Sequence, residues 1–207
     1  MKTKGRTGPV LILASASPRR REILSLLTDD FEVMAADTDE REIEERLRSS
    51  GAAEVAKGLA AAKARAVYEM LGEERKRDSV VIGADTSVVC EGEILGKPSD
   101  KEDAVRMLTM LSGKVHSVIT GVALISGGRE AVFEEESKVE FYPLDGKQKA
   151  LIEGYVSTDE PYDKAGAYGI QGKGALLVRK IEGDYLNIVG LPLSRLKREL
   201  DDLRGAL

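Results

Sequence analysis

Three arginines, Arg19, Arg20 and Arg21, follow directly on Ser17-Pro18. Ser is a favoured N-cap and Pro a favoured first helical residue, so a helix starts there. A helix N-terminus carries partial positive charge, which sets these arginines against the dipole and against one another. A bound anion removes the conflict, because orphan backbone N–H groups and guanidinium forks together hold phosphate oxygens. The plain alternative is three solvated arginines at small cost. Asp85-Thr86 is the second feature. It follows the apolar run Val80-Val81-Ile82-Gly83-Ala84, where a buried strand leaves the core and α/β folds put ligand chemistry. A carboxylate there can hold a divalent metal, take a proton from water, or both; a turn or capping Asp is the alternative.

Two lysines and a loop complete the candidates. Lys97 sits in Leu95-Gly96-Lys97-Pro98, a stiff turn that fixes the direction of its side chain and suits a phosphate contact. Lys63 lies in an alanine-rich helical stretch whose small neighbours leave space beside it. Solvated surface lysines are the default reading of both. The segment Asp163-Lys164-Ala165-Gly166-Ala167-Tyr168-Gly169-Ile170-Gln171-Gly172 is glycine-dense, and glycine permits positive φ and close backbone approach to a ligand. Gln171 offers a donor and an acceptor together, which suits reading a base edge. A tight loop between lobes is the simpler account.

The elements that must position these residues follow from periodicity and punctuation. Val10 to Ala14 reads as a buried strand, Ser17-Pro18 opens a helix with Ile23, Leu24 and Leu27 as its apolar face, and Phe31 to Ala35 reads as a second strand. Asp37 to Ser50 is an acidic, mobile or partly helical surface segment. Ala53 to Leu71 is a helix, and Val80 to Ala84 a strand that continues through Val88-Val89 to a turn at Glu91-Gly92. Ser99-Asp100-Lys101-Glu102 is a capping box for a helix ending near Leu111, with Gly113 as its stop. Val115 to Ile125 and Ala131 to Phe141 form a hairpin about Ser126-Gly127-Gly128. A helix from about Gly146 to Tyr155 comes next, followed by strands at Ala175 to Ile181 and Tyr185 to Val189 and a terminal helix after Pro192. The alternation of helices and strands, with hairpins, predicts an α/β fold with a mixed sheet.

Composition narrows the function. Of 207 residues, 31 are Lys or Arg and 36 Asp or Glu, a net charge of −5. Sequence-independent nucleic-acid binding needs a basic surplus and is disfavoured; the absence of Trp disfavours a base-stacking platform. One cysteine, Cys90, excludes an internal disulfide and a multi-Cys zinc cage, and is read as a buried thiol. One histidine, His116, excludes paired-His metal motifs and reads as structural rather than catalytic. No apolar run approaches a membrane span. Lys2, Lys4 and Arg6 ahead of Val10 imitate a secretory signal. The apolar stretch falls short of the roughly 7 residues an h-region needs, and arginines follow at once, so a cytoplasmic location is expected. Neither a Walker-type phosphate loop nor a dinucleotide fingerprint occurs.

Leu13-Ala14-Ser15-Ala16-Ser17-Pro18-Arg19-Arg20, Gly83-Ala84-Asp85-Thr86, Gly96-Lys97-Pro98, Leu111-Ser112-Gly113-Lys114-Val115-His116 and the Asp163–Gly172 string resemble the Maf family in order and spacing, from about Leu11 to Leu193. The resemblance implies one domain over residues 1–207, with the two-lobed fold of Maf and ITPase-like proteins: an elongated mixed sheet flanked by helices, and a cleft between lobes. It implies a homodimer, and hydrolysis of a nucleoside triphosphate to the monophosphate and pyrophosphate with a divalent metal, Mg2+ or Mn2+. One branch of the family acts on dTTP and UTP, another on 7-methyl-GTP. Arg19, Thr86 and Gln171 are similar to the residues that the first branch uses for substrate choice. The resemblance also implies Asp85 as general base and metal contact, Glu40 as the second metal carboxylate, and Ser15, Arg20, Lys63 and Lys97 as phosphate contacts. Modified pyrimidine nucleotides fit a house-cleaning form of the same activity. A non-catalytic nucleotide-binding regulator of septum formation is the alternative, although an anion site without turnover gains nothing from buried carboxylates.

Overall fold

The computed structural model describes residues 8–205; the basic residues Lys2, Lys4 and Arg6 lie outside the described residues. The first half of the chain runs β1 (Val10–Ala14), α1 (Pro18–Ser25), β2 (Phe31–Met34), α2 (Glu40–Leu47), α3 (Ala52–Glu69), α4 (Glu73–Asp78), β3 (Ser79–Cys90), β4 (Glu93–Leu95) and α5 (Lys101–Leu111). The second half runs β5 (Val115–Ser126), β6 (Arg129–Phe141), α6 (Gly146–Tyr155), β7 (Val178–Glu182), α7 (Tyr185–Val189) and α8 (Leu193–Gly205). One seven-stranded mixed sheet organises them in the order β2-β1-β3-β5-β6-β7, with β4 paired to β3. β1 is parallel to both β2 and β3, and every later pairing is antiparallel.

The period of two along β1 sorts the helices onto two faces. Leu11 and Leu13 pack with Ile23 and Leu24 of α1, with α5 and with α8 in the larger core. Ile12 and Ala14 face the other way, onto Ala60, Ala61, Ala64 and Val67 of α3. The chain therefore leaves β1 for β2 on one side and returns to β3 on the other. The carboxyl end of β1 and the middle of β3 beside it lie where such a reversal opens a crevice.

α3 lies unusually close to the sheet, and two strand glycines permit it. A Cβ on Gly83 would sit 2.1 Å from the Ala60 carbonyl oxygen, and one on Gly121 would sit 2.4 Å from the Ala56 carbonyl. Both obstacles are backbone, which cannot swing aside. The alanines of α3 present no bulk of their own, so helix and sheet meet backbone to backbone.

Several expectations from sequence are corrected. Tyr185 to Val189 is helix α7, not a strand: Asp184 caps it by accepting from the Leu186 N–H at 2.8 Å, and Gly190 ends it at φ 129°. The β-propensity of Tyr, Ile and Val there yields to the cap and stop. Of the strand expected over Ala175–Ile181, residues Gly172–Leu177 form a 3-10 segment and only the remainder joins β7. Gly174 sits where a Cβ would lie 2.3 Å from the Gly169 carbonyl oxygen, so the chain doubles back on itself before extending. The acidic segment after Asp37 is partly helical, one of the two readings expected of it: α2 is capped by Asp39, which accepts from the Glu42 N–H at 3.1 Å. The capping box before α5 is displaced by one residue: Asp100 is the N-cap, and Asp103 accepts from the Ser99 N–H at 3.1 Å. The hairpin at Gly127-Gly128 forms as expected, with φ of 54° and 77°, the double positive φ of a type I′ turn.

Cys90 is buried, and burial pushes its thiol pKa up. His116 is buried on β5, with Nε2 2.8 Å from the Tyr168 hydroxyl and its ring edge-on to Phe141 and Tyr168. It is a core residue. No helix among the described residues is long and apolar enough to cross a membrane.

Candidate functional site

The site is built where β1 ends and β3 runs on past it. Ala14, the last residue of β1, pairs with Gly83, so Asp85 and Thr86 extend beyond the edge of β1 beside the Ser15–Ser17 bend. Successive residues of a strand point to opposite faces. Asp85 accordingly meets α3, while Thr86 meets α1 and α7.

On the Thr86 face, Ser15 and Arg20 form a compact cradle. The Ser15 hydroxyl oxygen accepts from the Ser17 N–H at 3.2 Å and from Arg20 Nη1 at 3.4 Å. Its own O–H is left to donate. Ser17 caps α1 by accepting from the Arg20 N–H at 3.5 Å. The Arg20 guanidinium also gives Nε to the Gly190 carbonyl at 2.9 Å and Nη2 to Thr86 Oγ1 at 3.1 Å. Three of its five N–H groups are thereby committed. The remaining two, with the Ser15 O–H, leave a set of donors suited to anionic oxygens. Desolvation lowers the Arg20 pKa, the charge of Asp85 raises it again, Arg19 lowers it and Glu40 raises it; the guanidinium stays charged.

On the Asp85 face, Lys63 Nζ lies 2.6 Å from Asp85 Oδ1 and 3.0 Å from Glu40 Oε1. Lys63 and Asp85 keep only 16% and 15% of their side-chain surface, so the pair is held away from bulk water. The approach of α3 at Gly83 and Gly121 makes this pairing possible. α2 in turn leans on α3 at Gly58, where a Cβ would fall 2.2 Å from Leu47 Cδ1, and so carries Glu40 over Lys63. Asp85 Oδ2 has no hydrogen-bond partner among the described residues. Glu44, a turn after Glu40 and not singled out from sequence, has its carboxyl pushed above the usual range by desolvation, then by the charges of Asp85 and Glu40. An acidic residue four positions from Glu40 on one helix face was the available signal.

Among the described residues no group of three or more His, Cys, Asp and Glu is arranged to hold a metal unaided. Asp85 and Glu40 do converge on one cation, the Lys63 ammonium. Two carboxylates completed by phosphate oxygens and water are the hard donor set that Mg2+ takes, so the residues fit a divalent ion that arrives with a polyphosphate.

The remaining candidates form a third group. Arg19 Nη1 donates to Asp163 Oδ2 at 3.1 Å, which ties α1 to the glycine-dense loop. Lys164, beside it, donates to the Glu160 carbonyl and pairs with Asp163. Gly166 takes φ 68°, and its N–H donates to the Gly96 carbonyl at 3.0 Å, which joins this loop to the turn carrying Lys97. Lys97 and Gln171 are both exposed, and no hydrogen bond joins either to the cradle. Thr120, Asn187 and Gly190, which sequence reasoning passed over, all bear on Arg20. The Asp184 cap and Gly190 stop around α7 were the legible sign of the last two.

The fold and site together define an α/β protein with a cationic cradle of hydrogen-bond donors and a carboxylate pair side by side where β1 ends beside β3. Residues 10–203 match the family described as Maf-like protein. A Bacillus cereus protein named dTTP/UTP pyrophosphatase is 46% identical over 191 residues, 92% of this chain and 93% of its own length. One of the same name from Symbiobacterium thermophilum is 49% identical over 185 residues, 89% of each chain. The solved Staphylococcus aureus Ham1 protein aligns over 63% of this chain and 71% of its own with a TM-score of 0.42 and 15% identity, a likeness too slight to bear on the site. This chain belongs to the Maf family.

Proposed function

We propose that the protein hydrolyses nucleoside triphosphates, dTTP and UTP foremost, to the monophosphate and pyrophosphate. One observation carries the reading: Asp85, a shielded carboxylate with an oxygen that has no partner among the described residues, lies within electrostatic reach of Arg20 in the Ser15–Arg20 cradle. A site that only bound anions would be weakened by that carboxylate; one that activates water against a bound phosphate needs it. The names of the Bacillus cereus and Symbiobacterium thermophilum relatives support the choice of nucleotides.

In this reading the Ser15 O–H and the two uncommitted N–H groups of Arg20 bind the triphosphate, with Lys97 reaching it from its turn. Lys63 spends two N–H groups on Asp85 and Glu40 and has a third for a phosphate oxygen. Asp85 orients a water and takes its proton as the oxygen attacks the α-phosphorus. Arg19, held by Asp163, Gln171 on the same loop and Thr86 beside Asp85 are assigned to the choice of base. A divalent ion held by Asp85 and Glu40 supplies charge neutralisation on the polyphosphate when bound. Phosphoanhydride cleavage demands little covalent help from the protein and much positioning and charge, which is what this set of side chains offers.

The direct test is pyrophosphate release from dTTP, UTP, CTP and dGTP with Mg2+, then with excess chelator. Release from dTTP and UTP that stops on chelation is expected. Tight nucleotide binding with no release under any metal would favour the regulator instead.

A further inference from the structure

Arg19 and Arg20 are adjacent in sequence and are held by different parts of the chain. Arg20 is held by Ser15, by the Gly190 carbonyl and by Thr86. The Thr86 hydroxyl lies 3.0 Å from that of the buried Thr120, itself a donor to the Asn187 carbonyl at 3.0 Å. Arg19 shares none of these partners. Its side chain makes one hydrogen bond among the described residues, Nη1 to Asp163 Oδ2 at 3.1 Å, and keeps 30% of its surface. Four of its five N–H groups are left uncommitted. Without Asp163 no hydrogen bond would choose among the rotamers of so long a side chain.

Asp163 is itself fixed. Its second oxygen takes Lys164 Nζ at 2.5 Å, and the same ammonium donates to the Glu160 carbonyl. Lys164 keeps only 15% of its side-chain surface. Its stem lies along Gly169, where a Cβ would fall 2.8 Å from Lys164 Cε. The Gly169 N–H donates to the hydroxyl of the buried Tyr155 at 3.1 Å. Beyond Gln171, Glu160 Oε2 accepts from the Lys173 N–H at 3.2 Å. The short segment from Glu160 to Lys164 therefore grips the chain on both flanks of Gln171, and through Asp163 it holds Arg19 as well.

We propose that Asp163 is a positioning residue for the choice of base: it aims the Arg19 guanidinium from the same segment that fixes Gln171. The proposal deepens the reading of the protein as a dTTP and UTP pyrophosphatase and rests on it. A guanidinium only donates. Once aimed, it matches the keto oxygen of uracil or thymine and opposes the amino group that cytosine carries in its place. UTP and CTP differ at that edge alone. The test is a double-mutant cycle of Arg19→Ala and Asp163→Ala. Its readout is kcat/KM for UTP divided by that for CTP, and its control is the affinity for tripolyphosphate, which has the tail and no base, by calorimetry with Mg2+. Asp163→Ala is expected to lower the ratio about fivefold, mainly through KM for UTP. Tripolyphosphate affinity and the midpoint of urea unfolding are expected to stay unchanged, since an exposed ion pair adds little to stability. Asp163→Asn keeps an acceptor without the charge and is expected to show part of the same loss, which keeps the proposal testable should the alanine variant fail to fold. The double variant is expected to match Arg19→Ala, because Asp163 acts through Arg19. An unchanged ratio in Asp163→Ala, a further fall when it is added to Arg19→Ala, or tripolyphosphate affinity falling in step would overturn the proposal. Equal handling of UTP and CTP by the unaltered protein would defeat the assignment of Arg19 to the base, and the proposal with it. Absence of turnover in the unaltered protein would instead defeat the enzymatic reading, and the same cycle read as dissociation constants for UTP and CTP would still decide the role of Asp163.

Discussion

Replacing Asp85 by Asn is expected to cut kcat for dTTP about 10³-fold, the range that loss of a positioned general base produces. Asn preserves shape and can still accept from Lys63, but it cannot take a proton from water. The fold should tolerate the change. Lys63 retains Glu40 at 3.0 Å, so no buried ammonium is left uncompensated. The midpoint of urea unfolding is expected to move little, which separates a chemical loss from a structural one. Turnover at the unaltered rate in a folded Asp85→Asn protein would move the base elsewhere, and Glu40 is the nearest carboxylate that shares the Lys63 ammonium.

The second large effect lies in the core. Burial lowers the His116 pKa to about 4, against 6.5 for a free ring. Between those values the unfolded chain binds a proton that the folded protein refuses. The stabilisation is therefore complete above pH 6.5 and is lost as pH falls through the window to about 4. Below that it has cost about 3 kcal/mol, since each pKa unit corresponds to 1.36 kcal/mol. For a domain of this size such a change is a large share of total stability. Nδ1 of the ring is buried without a partner, so a second proton would find no acceptor there. The protein has one histidine, so a single ring resonance followed by NMR reports it directly. Titration near 4 is expected, together with a flattened pH dependence of urea unfolding in His116→Phe. A ring titrating near 6.5 would contradict the burial argument.

Much of this architecture was legible in the residues. The apolar runs of β1 and β3 and the Ser17-Pro18 start of α1 are local signals, and local signals survive folding when the tertiary setting agrees with them. The small-residue face of α3 was legible too, although its reason was not: only the structure relates its alanines to Gly83 and Gly121 across the sheet. α7 went unread because five residues with Tyr, Ile and Val look extended, and a short helix is decided by its cap and its neighbours. The site shows the same division. Arg20 and Asp85 stood out as polar groups at the edges of apolar elements. Thr120 and Asn187 look in sequence like ordinary strand residues, and their importance arises from partners 67 and 69 positions away. Lys63 was a weak candidate by its alanine neighbours and Glu40 one by resemblance alone, and the convergence of Asp85 and Glu40 on Lys63 is a fact of three dimensions.

In the proposed mechanism Asp85 directs water at the innermost phosphorus of a triphosphate held by Ser15 and Arg20. Hydrolysis of dTTP in water enriched in oxygen-18, with the products separated and weighed by mass spectrometry, tests it most directly. One labelled oxygen in dTMP and none in pyrophosphate is expected. Label in the pyrophosphate would mean attack on the β-phosphorus, and would contradict it.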